Sequence, residues 1–232
     1  MKRLAFCLTL CVILLSACGG QEESTPAPTA PETASGTEEA IPGGESTAAE
    51  TETAAAHGNY EELSFFREGF RIAGRLYLPE EGEGPFPLVI LCHGYGGNMR
   101  NLAGYAEIFA GEGYAAVIFD FVGGGVVGSS SDGTPLDMSV LTEKADLEAV
   151  VGGLRERSEL DLSRLFLLGA SQGGFVVTCF AGEHPETVKG LIALYPGYNV
   201  QDFIRAVTGN GTNSAETFKF MGMEVGRRYV ED

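Results

Sequence analysis

Apolar residues fall into three regimes along the chain. Residues 4–15 form one short apolar run, and residues 19–57 hold almost no large apolar side chain. From residue 60, short apolar runs alternate with segments whose apolar residues recur at helical spacing. Residues 60–66 and 70–78 are β-rich and flank Glu68-Gly69, which predicts an opening hairpin. After a Gly/Glu/Pro loop at 79–87, residues 88–92 are continuously apolar, the pattern of a strand buried on both faces. Leu102, Ala103, Ala106, Ile108, Phe109 and Ala110 fit a helix ending at Gly111-Glu112-Gly113. A second buried strand is expected at 114–119, then a long Gly/Ser loop at 121–141. Thr142 is expected to cap a helix running to about Glu156, with Glu143 and Asp146 favouring its first turn. Residues 165–168 read as a third buried strand, 175–181 as part of a helix, and 188–195 as a further buried strand. Beyond Pro196 the pattern weakens. Residues 200–207 and 216–229 read as two short helices either side of a turn-rich stretch at 208–213.

Strand and helix thus alternate from residue 88 to residue 195, and each crossover is long enough for a helix. That implies parallel strands with helices on both faces, and the opening hairpin adds antiparallel strands at one edge.

Charge and composition divide the chain the same way. The 15 basic and 32 acidic residues leave −17 overall, and residues 58–232 alone carry −11. This balance argues against nucleic acid as a partner and against an electrostatic hold on an anionic membrane. Lys2 and Arg3, the apolar run, and Leu15-Ser16-Ala17-Cys18 make residues 1–17 a secretory signal of lipoprotein type. Its ending resembles a bacterial lipobox, which implies cleavage before Cys18 and lipid on the Cys18 thiol. Residues 18–57 are rich in Ala, Thr, Glu and Pro and hold no Lys, Arg or aromatic residue. Such a segment cannot bury enough apolar surface to offset its ordering entropy, so a disordered tether is expected. His57, at its end, is expected to be inert. Residues 58–232 hold 21 of the 22 Phe and Tyr residues, so the core is there. Of the cysteines in that segment, Cys92 falls in a predicted strand and Cys179 in a predicted helix. Both read as small core residues rather than as a disulfide.

Two glycine-rich segments carry candidate chemistry. Gly169-Ala170-Ser171-Gln172-Gly173-Gly174 follows an apolar strand and opens a helix, the setting that a G-x-S-x-G nucleophile elbow requires. There the serine sits on a sharp turn with Oγ exposed above the sheet. Gly169 and Gly173 let strand and helix approach closely. The helix N-terminus also favours an anionic intermediate. His93-Gly94-Tyr95-Gly96-Gly97-Asn98 ends the first buried strand. Acyl transfer needs two N–H donors on the developing oxyanion. The backbone of Gln172 is one candidate and that of Tyr95 the other, with Gly94 letting the loop approach. His93 is read as a brace for this loop and not as a catalytic base.

Together these motifs resemble the α/β-hydrolase superfamily, and within it the bacterial cinnamoyl/feruloyl esterase-like and serine-aminopeptidase-like hydrolases. The resemblance covers about residues 60–232. It rests also on Phe119-Asp120-Phe121 with Ser131-Asp132-Gly133, on the stretch from Met138 to Glu143, and on Leu194-Tyr195-Pro196. It implies an α/β-hydrolase fold with Ser171 as nucleophile and Tyr95 and Gln172 as oxyanion donors. The family order is serine, then acid, then histidine. After Ser171 this chain has only His184, 13 residues on and therefore ~15–20 Å away along a helix. The acid and the histidine are accordingly expected beyond residue 232, with the fold incomplete at its C-terminus and residues 198–232 beginning a cap. Asp202 is a weaker candidate acid, and Asp120 is expected to brace the next loop.

The resulting expectation is a lipid-anchored, extracytoplasmic serine hydrolase of the bacterial cell envelope, with neither metal nor organic cofactor. Its substrate would be a small-molecule carboxylic ester, turned over through an acyl-enzyme. Peptide or amide substrates stay open, because the nucleophile motif does not separate them. A non-catalytic surface lipoprotein that kept the scaffold without the base is the other alternative.

Overall fold

Strands β3 (Phe86–Cys92) and β4 (Ala115–Phe119) show why the central sheet forms where it does. Their side chains alternate between two cores. Leu88, Ile90 and Cys92 of β3 join Val117 and Phe119 of β4 on one face, while Val89, Leu91, Ala116 and Ile118 face the other. With both faces covered, every position from Leu88 to Cys92 and from Ala115 to Phe119 can be apolar. The computed structural model describes residues 59–125, 128–199, 202 and 216–231. Residues 1–58, with Cys18, the signal and the whole tether, lie outside the described residues.

The sheet has six strands in the order β1-β2-β4-β3-β5-β6. β1 (Glu61–Arg67) and β2 (Phe70–Tyr77) form the antiparallel hairpin, and β2 pairs antiparallel with β4. β5 (Leu160–Ala170) and β6 (Val188–Leu194) continue the sheet in parallel beyond β3. Helix α1 (Ala103–Gly111) places Ala103 and Ala106 on one face. Helices α2 (Val140–Gly153) and α3 (Gln172–Glu183) cover the other with Leu147, Val150, Val176 and Phe180. The fold is the expected mostly parallel sheet with helices on both faces and an antiparallel edge hairpin.

Four details differ from the sequence reading. Helix α2 is capped by Ser139, not Thr142. Thr142 is the third helical residue, its N–H donating to Ser139 Oγ at 3.1 Å and its Oγ1 accepting from the Ser139 N–H at 2.8 Å. This reciprocal pair satisfies two orphan donors, which a Thr142 cap would leave unmet. Glu143 and Asp146 are not solvated dipole partners; both are buried. β6 is not a buried strand: among the described strands it is an edge, with Leu191 39% and Ile192 46% exposed. Finally, residues 216–229 are mainly a hairpin, β7 (Thr217–Phe220) with β8 (Met223–Gly226), followed by a single helical turn α4 (Arg228–Glu231). The apolar period there is two, Phe218 and Phe220 alternating with Thr217 and Lys219. Met221 and Gly222 turn the chain with φ of 46° and 87°, the two positive values of a tight hairpin turn. The helix expected at 200–207 lies outside the described residues apart from Asp202, which is exposed.

Candidate active site

Ser171 stands between β5 and α3 at φ 52°, ψ −118°, a conformation that non-glycine residues rarely adopt. The surrounding backbone holds it there. Its N–H donates to Leu194 O at 2.9 Å, and its carbonyl accepts from Gly197 N at 2.9 Å. The glycines around it are required by space. A Cβ on Gly169 would lie 2.2 Å from Gly173 O, and one on Gly173 would lie 2.3 Å from the carbonyl oxygens of both Cys92 and His93. A Cβ on Gly94 would lie 3.0 Å from Ser171 Cβ and 3.7 Å from its Oγ, so the loop after β3 reaches the serine directly. Ser171 is half-buried, and it heads a 12-residue helix whose first N–H groups have no intrahelical acceptor. A hydroxyl so placed, beside close-approaching backbone and a helix N-terminus, can form a covalent adduct whose oxyanion meets N–H donors.

The loop after β3 is braced from below. His93 is buried, and its Nδ1 lies 2.9 Å from Gly94 O. A carbonyl can only accept, so Nδ1 carries the proton, and Nε2 accepts from the Phe121 N–H at 3.3 Å. Burial lowers the His93 pKa, in keeping with a neutral ring. Both nitrogens are occupied by backbone, which is the bracing geometry. Asp120 supports the same loop. Its carboxylate accepts from Met99 N and Ser130 N, both at 2.6 Å, tying the segment after β3 to the Gly/Ser loop. The Tyr95 side chain packs against Phe220 and Tyr229, donating from its hydroxyl to Phe220 O at 2.8 Å. Burial pushes its phenol up to about 12.

Gln172 is buried, and its side chain is held at both ends. Nε2 donates to Glu143 Oε2 at 2.7 Å, and Oε1 accepts from the Tyr229 hydroxyl. Burial pushes the Glu143 carboxyl up to about 8; the Gln172 hydrogen bond opposes this and the Asp146 charge adds to it. Burial also raises Asp146, against the pull of Arg67 Nε at 2.5 Å and the Val122 N–H at 2.9 Å. Sequence reasoning missed Glu143 and Tyr229. A signal for Glu143 was present: it lies on the stripe Val140, Glu143, Leu147, Val150, whose other members are core. Tyr229 had no such signal, because its partner is 57 residues away.

The structure does not bring His184 to the site. It ends α3 at the opposite end from Ser171, about 18 Å along the helix. Its Nε2 lies 3.9 Å from Glu148 Oε1. Glu148, Glu183 and His184 form the one grouping of metal-type ligands among the described residues, but Lys144 Nζ already lies 2.5 Å from Glu183 and 3.9 Å from Glu148. Cys92 and Cys179 are not joined in a disulfide.

The sheet order, the crossovers and the strained serine turn define an α/β-hydrolase. Residues 83–221 match the family described as Serine aminopeptidase, S33, and the chain belongs to that family. It is 30% identical over 115 residues to the quorum-quenching protein AidA of Acinetobacter baumannii, covering 49% of this chain and 36% of that protein. It is 27% identical over 160 residues to the hydrolyase poxO of Penicillium oxalicum, covering 64% of this chain and 35% of that protein. The chain therefore spans about a third of the length of these curated relatives. The fold is similar to that of Est1E from Butyrivibrio proteoclasticus, solved with ferulic acid bound, at TM-score 0.63 and 23% identity over 73% of this chain and 69% of that one.

Proposed function

We propose that the chain carries the nucleophile and oxyanion elements of a serine carboxylic-ester hydrolase. The observation that carries this reading is Ser171 at φ 52°, with Gly94 against its side chain. A binding scaffold has no need of a serine held in strained backbone. In the reaction, Ser171 Oγ adds to the ester carbonyl carbon, and the oxyanion is met by the Tyr95 and Gln172 N–H groups. The C–O bond then breaks, and the alcohol leaves with the proton that the serine hydroxyl lost. Water hydrolyses the acyl-enzyme to the acid and regenerates the hydroxyl. The histidine and acid that move these protons are assigned to residues outside the described ones, since His93 is committed to backbone and His184 is remote. The family description favours a second reading, in which the acyl donor is a peptide or amide.

Incubation with a fluorophosphonate should add one phosphonyl group, located on Ser171 by peptide mass spectrometry. The serine oxygen displaces fluoride at phosphorus and its proton passes to solvent. Labelling should be absent in Ser171→Ala. Equal labelling of the alanine variant would end the proposal. Comparison of a nitrophenyl ester with an aminoacyl nitroanilide separates the two substrate readings.

The lipobox supports an extracytoplasmic site, with the chain held at the membrane by lipid on Cys18. Cys18→Ser should then move the protein from the membrane fraction to the soluble fraction, and retention in the membrane would refute the anchor.

A further inference from the structure

The two proposed oxyanion donors come from different parts of the fold, Tyr95 from the loop after β3 and Gln172 from the elbow. Their side chains nevertheless end on one element. The Tyr95 hydroxyl donates to Phe220 O at the end of β7, and the Tyr229 hydroxyl on α4 donates to Gln172 Oε1. The Tyr95 ring lies 5.1 Å from Phe220 and 5.5 Å from Tyr229, and all three pack in one cluster with Met138, Met223 and Val225. That element is itself seated on the segment leading into α2. A Cβ on Gly226 would lie 2.5 Å from Leu136 O, so β8 lies directly on that backbone. Helix α2 in turn carries Glu143, which holds the other end of the Gln172 amide at 2.7 Å. The contacts close a ring from α2 through β8, α4 and Tyr229 to Gln172, and through Glu143 back to α2.

We infer that the β7–β8 hairpin with α4 is a clamp that sets the spacing of the two oxyanion amides, with Tyr229 and Glu143 as positioning residues. This rests on the reading of Ser171 as nucleophile. Gln172 cannot turn without stranding a buried amide oxygen or nitrogen, so its backbone N–H keeps one direction while the ring is closed. Tyr95 is fixed in the same way by its hydroxyl and its ring. Oxyanion donors act only when they are already in place, and a displacement on the order of 1 Å can cost about a hundredfold in rate. The clamp therefore acts on the rate of the covalent step and not on ground-state binding.

The test uses Tyr229→Phe and Tyr95→Phe in the full chain, each removing one hydroxyl and keeping the ring. Amide hydrogen exchange is read at residues 93–98 and 170–174. Each variant should speed exchange in both segments, by about tenfold, while β3 and β4 stay protected. In fluorophosphonate labelling, each should lower the maximal rate by about tenfold and leave the half-saturating concentration unchanged. Exchange that rises only in the segment touching the substituted residue overturns the clamp, as does an effect confined to half-saturation. The Ser171→Ala arm stands apart: if parent and alanine variant label alike, the nucleophile reading fails, and the assignment of the clamp to an oxyanion site fails with it.

Discussion

Ser171 and Glu143 are both held against their intrinsic preference, one in backbone angle and one in ionisation. The strain at Ser171 persists because β5, α3 and the Leu194–Gly197 backbone all fix the turn. Glu143 is buried beside Gln172 with its carboxyl pushed up to about 8, against an ordinary value of 4.5. The folded state therefore keeps a proton that the unfolded chain releases. The sign follows: stability is full below about pH 4.5 and is lost as pH rises towards 8, by up to roughly 3–5 kcal/mol. Glu143→Gln keeps an acceptor for Gln172 and cannot ionise. Its urea midpoint should therefore fall much less between pH 5 and pH 8 than that of the parent. Asp146 is raised as well, so the variant should keep a smaller slope. Parallel pH profiles for the two proteins would show that Glu143 does not titrate in this window.

At the scale of elements, turns and caps explain where the chain reverses. Glu68-Gly69 and Met221-Gly222 both place two successive residues at positive φ, the geometry that matches the twist of two-residue hairpins. Met221 is 76% exposed and gains nothing from packing there, yet it occupies a left-handed conformation that costs an L-residue roughly 1–2 kcal/mol. Asn tolerates that conformation. Met221→Asn should therefore stabilise the hairpin by about 0.5–1 kcal/mol, seen as a rise of about 1–3 °C in melting temperature. A fall would mean that Met221 contributes a contact that its exposure conceals. The same turn bears on the proposed site, because β7 and β8 carry Phe220 and lead to Tyr229.

Across the whole molecule, the described sheet has two edges, β1, which carries Glu61, Glu62 and Arg67, and β6. An edge strand offers unpaired backbone groups to other chains, and charges usually guard it. Here Lys189 is the one charged residue in β6, while Leu191 and Ile192 are exposed. A chain in which β6 remains an edge should self-associate there. Ile192→Lys should shift it towards monomer in sedimentation at matched concentration, and unchanged association would place the contact elsewhere. The net charge of −11 on residues 58–232 opposes close approach, so association should strengthen with added salt.

Much of this architecture is readable without coordinates, because it depends on neighbours in sequence. Period-two and continuous apolar runs mark β1 to β5, and Glu68-Gly69 marks the first turn. The glycines at 94, 169 and 173 mark where backbone must approach backbone, so the elbow and its facing loop are legible residue by residue. Contacts between distant residues decided the rest. An apolar strand sequence looks the same at a sheet centre and at an edge, so the exposure of β6 depended on which strands flank it. Thr142 and Ser139 are equally good caps locally, and the fold chose the one that closes a reciprocal pair. Residues 216–229 mix both periods, and their hairpin is fixed by seating Phe220, Met223 and Val225 beside Met138. The buried Glu143–Gln172–Tyr229 chain was the least legible, for a general reason. A polar residue in a sequence pattern reads as solvated, and only partners brought from other elements make its burial affordable.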